Sequence, residues 1–92
     1  MSQSQIIYER LKKLHQIVSK LDEKIADERV LFIANEMLFN FVKAEHARKE
    51  WERLFNMRAF YQLSASIEQI QYLLAHNTER QATYKAPSNS NA

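Results

Sequence analysis

Basic side chains are interleaved with aromatic ones between residues 43 and 61, in the part of the sequence best suited to bind a flat or charged ligand. The set is Lys43, Arg48, Lys49, Trp51, Arg53, Arg58 and Tyr61. Guanidinium groups and aromatic rings can hold the bases of a single strand, and they also anchor protein interfaces. The sequence therefore predicts a binding face for a protein or for single-stranded nucleic acid. The alternative is that Trp51 is an ordinary core residue closing one end of a helical bundle.

Residues able to perform catalysis or bind metal are few and scattered. His46 and Glu50 stand four residues apart, which puts two ligands on one helical face but does not complete a metal site. Arg10 and His15 have an R-x4-H spacing that resembles the ribonuclease motif of HEPN domains, with Leu11 where that family usually has a polar residue. We predict no enzyme activity, no metal and no cofactor, with a HEPN-like ribonuclease or metal-dependent hydrolase as the alternative.

Composition narrows the function classes further. The 92 residues include 13 basic and 11 acidic side chains, and a net charge of +2 is far below the excess expected of a dedicated duplex-DNA binder. Glycine is absent, which excludes phosphate-cradling loops, dinucleotide fingerprints and nucleophile elbows. Cysteine is also absent, which excludes disulfides and thiolate metal sites.

The sequence carries no recognisable targeting or membrane segment. Its first residues lack the basic region, continuous apolar region and cleavage site of a signal peptide. The longest apolar run is interrupted by Asn35 and Glu36, well short of the roughly 18 residues that a membrane span needs. We predict a cytoplasmic protein that does not contact a membrane.

We predict that three helices position these residues. The first follows an apolar seam with heptad spacing, and Ser4 is its candidate N-cap. That seam consists of Ile7, Leu11, Leu14, Val18, Leu21 and Ile25. The pattern breaks at residues 26–29, where Asp27 can cap a second helix that continues to Phe55. A third seam, from about residue 57 to 76, consists of Phe60, Leu63, Ile67, Ile70 and Leu74.

We predict an all-α fold, a three-helix antiparallel bundle over residues 1–76 with a disordered C-terminal tail over residues 77–92. In the stretch VLFIANEMLFNFV, residues 30–42, ten of thirteen side chains are apolar, more than two neighbouring helices can cover. Phe32 and Phe39 are left for a further surface, which favours a homodimer forming a larger bundle, or a docked partner.

The order of these elements resembles the N-terminal helical part of the bacterial primosomal replication-restart protein PriC family. The resemblance lies in a leucine-spaced first helix ending in KLD at residues 20–22, the pair Leu38 and Phe39, and a late helix containing EQIQYLL at residues 68–74. In that family a long basic C-terminal half is associated with binding single-stranded-DNA-binding protein and forked DNA. These 92 residues include no such half, so the residues around Trp51 are the candidate substitute.

Two functional hypotheses follow. The first is a non-enzymatic helical interaction module, a DNA replication-restart (primosome) accessory protein that binds a protein partner or single-stranded DNA. The second is a small phage-type, antitoxin or immunity inhibitor that binds and blocks a target protein with a rigid helical face.

Overall fold

The computed structural model describes residues 2–84, which form two long antiparallel helices. α1 spans Gln3–Met37 and α2 spans Phe41–Tyr84. The three residues Leu38 to Asn40 connect them. The result is an elongated helical hairpin measuring 79 × 20 × 14 Å.

α1 packs on α2 through one continuous line of residues with heptad spacing. All residues of α1 that are buried or half-buried lie on this line, the inner seam of α1. It consists of Ser4, Ile7, Leu11, Leu14, Val18, Leu21, Ile25, Glu28, Phe32 and Asn35. Steps of three and four residues keep a seam facing one partner helix along its whole length. The apolar seam predicted from Ile7 to Ile25 is therefore confirmed.

α2 contributes a matching inner seam, also with heptad spacing. It consists of Ala44, Ala47, Trp51, Leu54, Arg58, Tyr61, Ala65, Glu68, Tyr72, Ala75 and Glu79. Side chains meet across the two helices in antiparallel order. Near the turn the Phe32 and Trp51 ring centroids are 6.1 Å apart, and near the open end Tyr8 lies 6.1 Å from Tyr72.

The turn between the helices is a Schellman motif built without glycine. The Phe39 N–H donates to the Glu36 carbonyl at 3.1 Å, and the Asn40 N–H donates to the Asn35 carbonyl at 2.8 Å. Phe39 has a φ of 61°, in the left-handed region that this motif requires at the first residue beyond the helix cap. The Asn40 carbonyl then accepts the Ala44 N–H, which begins α2.

The all-α class is observed, but the prediction of three helices is wrong. α1 runs through Asp27 without a break, because residues 26–29 contain neither glycine nor proline and the half-buried Glu28 simply occupies one seam position. α2 runs through Asn56 in the same way. The apolar pattern that restarts at Phe60 marks a change of helix face and not a new helix.

Two further boundaries differ from the predictions. The N-cap of α1 is Ser2, whose side chain accepts the Gln5 N–H, whereas Ser4 is buried inside the helix. Residues 77–84, predicted as the start of a disordered tail, continue α2. The rest of that predicted tail, residues 85–92, lies outside the described residues.

Candidate interaction surfaces

The turn end of the hairpin carries a cluster of exposed apolar side chains, which we call the tip surface. Its members are Val30, Leu31, Ile33, Met37, Leu38, Phe39, Phe41 and Val42. Their exposed fractions run from 48% at Ile33 to 86% at Val42. Large contiguous apolar patches are uncommon on monomeric soluble proteins and usually mark an interaction site.

Phe39 stands at the end of the tip surface in a conformation that costs free energy. A bulky residue with positive φ is uncommon, because its Cβ crowds the following carbonyl oxygen. Its ring is 77% exposed and meets the Phe41 ring edge-on, with centroids 6.0 Å apart. The turn therefore holds two aromatic rings together at the end of the hairpin, where they are open to solvent.

A second exposed apolar surface lies on α2, on nearly the opposite side from its inner seam. This outer seam consists of Phe60, Leu63, Ile67, Ile70 and Leu74, the residues predicted as the core of a third helix. Each side chain is between 49% and 64% exposed. α2 thus has heptad-spaced contact residues on two faces, and α1 covers only one of them.

The arginines of the predicted basic–aromatic cluster are engaged with carboxylates. The Arg48 guanidinium lies 2.6 Å from Glu45 and 3.0 Å from Glu52. Hydrogen bonding to Arg48 holds the pKa of Glu45 below its ordinary value. Arg53 pairs with Glu50 in the same way and lowers the pKa of that carboxyl.

Arg58 reaches across the hairpin, and its guanidinium Nε lies 2.5 Å from a carboxylate oxygen of Asp22 on α1. Both side chains keep more than a third of their surface in water, so this pair contributes little to stability. The pair links the middle of α2 to the middle of α1.

The cluster does not form one face. At 3.6 residues per turn, Trp51 and Arg53 lie on nearly opposite sides of α2. Trp51 is half-buried in the inner seam against Phe32, so Phe32, predicted for self-association, is engaged within the hairpin. Tyr61 is half-buried and meets the Phe60 ring edge-on at 5.4 Å. Lys43 and Lys49 are exposed on other parts of α2.

The residues considered for catalysis or metal binding lie in two pairs, one on each helix. Arg10 pairs with Glu68 on α2 at 3.1 Å, while His15 is exposed and is not its hydrogen-bond partner. His46 and Glu50 share a helical face, but residues 2–84 contain no group of three or more potential metal ligands.

A polar contact closes the open end of the hairpin. The Ser4 hydroxyl donates to Glu79 Oε1 at 2.5 Å, and the Ser4 N–H donates to Glu79 Oε2 at 3.0 Å. These two bonds to Ser4, the hydroxyl first, hold the pKa of Glu79 below its ordinary value of 4.5. Beside them, Tyr72 stacks on His76 with centroids 5.6 Å apart.

The sequence predicts part of these surfaces. The excess of apolar residues in 30–42 predicts an exposed Phe39, whereas the spacing of the outer seam predicts the core of a third helix. The spacing of α2 does indicate the inner seam, because residues 44, 47, 51, 54, 58 and 61 follow one heptad line. Arg58 is the only charged residue among these six.

Neither helix, over the residues described, has an apolar stretch long enough to cross a lipid bilayer. No protein-family model matches the chain, and neither a curated protein nor a solved structure gives a significant match.

Proposed function

We propose that this chain is a non-enzymatic interaction module that inserts its hairpin tip into an apolar pocket of a protein partner. The observation that carries the proposal is the tip surface, eight large apolar residues gathered at one end of a long, narrow hairpin. Aromatic side chains that fill pockets supply much of the binding free energy at protein interfaces. Phe39 and Phe41 are the proposed anchors.

The charges around the tip favour a protein over a lipid surface. Residues 27–49 contain four acidic side chains, Asp27, Glu28, Glu36 and Glu45, and four basic ones, Arg29, Lys43, Arg48 and Lys49. A balanced set offers no attraction to anionic lipid headgroups, which bind clusters of lysine and arginine. Glu36 also lies among the apolar residues of the tip, and inserting it into a bilayer would mean desolvating its charge.

The ion pairs of α2 favour a protein over single-stranded nucleic acid. Arg48 and Arg53 donate to glutamates of their own helix, and Trp51 is half-buried against Phe32, so binding bases would have to compete with contacts that these residues already make. The resemblance to the PriC family makes replication-restart proteins the first partners to test. If the bound protein is an enzyme that loses activity, the module is an inhibitor of the phage, antitoxin or immunity type.

Site-specific crosslinking in the source cell tests the proposal. Replacing Phe39 with the photoreactive benzoyl-phenylalanine should give a discrete crosslinked protein, whereas the same group at Lys24, an exposed position on α1 far from the tip, should not. With the purified partner, Phe39→Ser and Phe41→Ser should each weaken binding by about 10- to 100-fold. The matched control is Phe55→Ser, an exposed phenylalanine of α2 outside the tip.

Two results would contradict the proposal. One is an affinity for the crosslinked protein that tip variants leave unchanged. The other is quenching of Trp51 emission by a single-stranded oligonucleotide that falls between about 50 and 200 mM salt and is lost in Arg48→Ala, which would move the function to nucleic acid. Crosslinking to lipid instead of protein would point to a membrane surface.

A further inference from the structure

We infer that the outer seam of α2 is a homodimer interface, in which two copies of the hairpin pack their α2 helices side by side in parallel. This inference uses residues 57–74 of α2 and none of the tip surface. Its failure would therefore leave the proposed function standing, and the reverse also holds.

The spacing of the outer seam is that of a helix–helix contact. Its five apolar residues follow steps of three and four, and the next positions on the same line, Asn56 and Asn77, are polar at both ends. The apolar line is therefore about 21 Å long at 1.5 Å per residue. A line of this kind is typical of a seam that receives a second helix, as the inner seam does from α1.

No remaining part of this chain is suited to cover the outer seam. α1 is already committed to the inner seam, and residues 85–92, KAPSNSNA, contain no large apolar side chain. Among these 92 residues, a second copy of α2 is the segment best suited to cover it. Phenylalanine carries about 150–250 Å² when free, and leucine and isoleucine lie near the lower end of that range, so the half-exposed seam together with Leu73 leaves on the order of 600 Å² uncovered. That is close to the roughly 800 Å² per partner of a standard interface.

The residues flanking the outer seam point to a second copy as the occupant. They carry no charge on either side: Met57, Ala59, Ser64, Ser66, Gln71 and Leu73. Charged flanking residues are what select an unlike partner helix, and like charges at these positions oppose self-pairing. A seam with neutral flanks pairs with itself without repulsion, and a two-fold dimer closes so that no apolar edge is left for further growth.

The positions of the apolar residues favour the parallel arrangement. In parallel, each of the five residues meets its own counterpart, which gives five apolar layers. In the antiparallel arrangement that pairs Ile67 with Ile70, Phe60 instead faces Asn77 of the other copy. The parallel dimer also places both tip surfaces at the same end of the assembly.

Sedimentation equilibrium of the full chain tests the interface. The wild-type protein should have twice the chain mass of 10.9 kDa, and Ile70→Glu should raise the dissociation constant by about 100-fold or more, because two carboxylates would meet in an apolar layer. The control is Phe55→Glu, at an α2 residue outside the seam that is 57% exposed against 59% for Ile70. It should remain dimeric, and both variants should keep the wild-type helical circular dichroism.

Single cysteines test the register, since the chain has none of its own. Phe60→Cys and Leu74→Cys should each form disulfide-linked dimers under mild oxidation, and Phe55→Cys should not. In an antiparallel dimer the two copies of residue 60 would be about 25 Å apart and would not crosslink. A wild-type monomer at high micromolar concentration, a dimer indifferent to Ile70→Glu, or crosslinking absent at both residues 60 and 74 would each overturn the inference.

Discussion

The more polar face of α2 is buried and the more apolar face is exposed, the reverse of what hydrophobicity predicts. The inner seam includes Arg58, Glu68 and Glu79, yet it is the face that α1 covers. The outer seam consists only of large apolar residues, yet it is exposed. The amount of apolar surface therefore does not decide which face of a helix packs inside the chain.

Fit and chain connection explain the choice. Ala44, Ala47 and Ala65 are only 2–3% exposed and let the two helices approach closely. The charged members of the inner seam are half-buried, and Arg58 and Glu68 pair with charged residues of α1. Long charged side chains can cover apolar surface with their aliphatic stems while their charged ends stay in water. The short turn at residues 38–40 brings this face of α2 against the apolar seam of α1, and the outer seam is left over.

The largest expected effect is a difference in the free energy of unfolding between variants of the inner seam and variants of the outer seam. Leu54 is 5% exposed in the inner seam and Leu63 is 61% exposed in the outer seam. Leu54→Ala should lower the free energy of unfolding by about 2–4 kcal/mol, because it removes contacts from a thin core and leaves a cavity. Leu63→Ala should change it by less than about 0.5 kcal/mol when measured by urea denaturation in dilute solution.

The effect of Leu63→Ala should depend on protein concentration, whereas that of Leu54→Ala should be present at every concentration. If two copies cover the outer seam, Leu63→Ala destabilises the protein only at concentrations where the wild-type chain is dimeric. Equal losses for both variants in dilute solution would mean that the outer seam is already covered within one chain. Should Leu54→Ala fail to fold, the conservative Leu54→Met provides the same comparison with a smaller loss.

The sequence was sufficient to predict the all-α class and the seam of α1, because helical periodicity in a chain without glycine leaves few alternatives. It was insufficient to place the turn. Residues 30–42 read as one helix, since the residue that leaves the helix is Phe39 and not the glycine or asparagine expected there. Once the turn is missed, the outer seam is read as the core of a third helix, and the partly polar inner seam is not recognised.

Of the candidate site residues, those in the tip could be anticipated from excess apolar content, but the roles of the arginines could not. Arg48 and Arg53 each have glutamates three or four residues away, and on a helix such pairs meet as readily as a ligand does. Spacing alone does not tell a binding arginine from a paired one. Trp51, which the sequence allows as a binding residue or as a core residue, is half-buried against Phe32.

A smaller effect on stability is expected at the turn, where Phe39 has a positive φ that bulky residues disfavour. Phe39→Gly should raise the free energy of unfolding by about 1 kcal/mol, because glycine adopts positive φ without the crowding at Cβ. The melting temperature should rise by about 4–8 °C for a chain of this size. If Phe39 is a binding anchor, the same variant should bind the partner more weakly while being more stable.

Phe39→Ala is the matched control for the turn. It removes the exposed ring but keeps a Cβ at positive φ, so its stability should stay close to that of the wild-type protein. If the alanine and glycine variants were equally stable, the strain would not lie in the backbone, and the cost assigned to Phe39 would be wrong.

The smallest expected effect is a pH dependence of stability, which arises from the contact between Ser4 and Glu79 at the open end. Because Ser4 lowers the pKa of Glu79 in the folded chain, the unfolded chain binds a proton at this carboxyl first as the solution is acidified. The stabilisation is therefore complete above pH 4.5 and is lost as pH falls from there through the lower folded pKa.

Glu79→Gln removes this titration and should flatten part of the acid dependence of unfolding, to which Glu45 and Glu50, whose pKa values are also lowered, contribute as well. Amide exchange separates them by position. Protection factors, which correct for the slower intrinsic exchange in acid, should fall with pH at the open end, near residues 4–8 and 76–79, in the wild-type chain and not in Glu79→Gln, where the contact is already weakened at neutral pH. If acid lowered the protection factors equally in both proteins, the Ser4–Glu79 contact would not be what holds the open end, and the contact between Tyr8 and Tyr72 would be the remaining candidate.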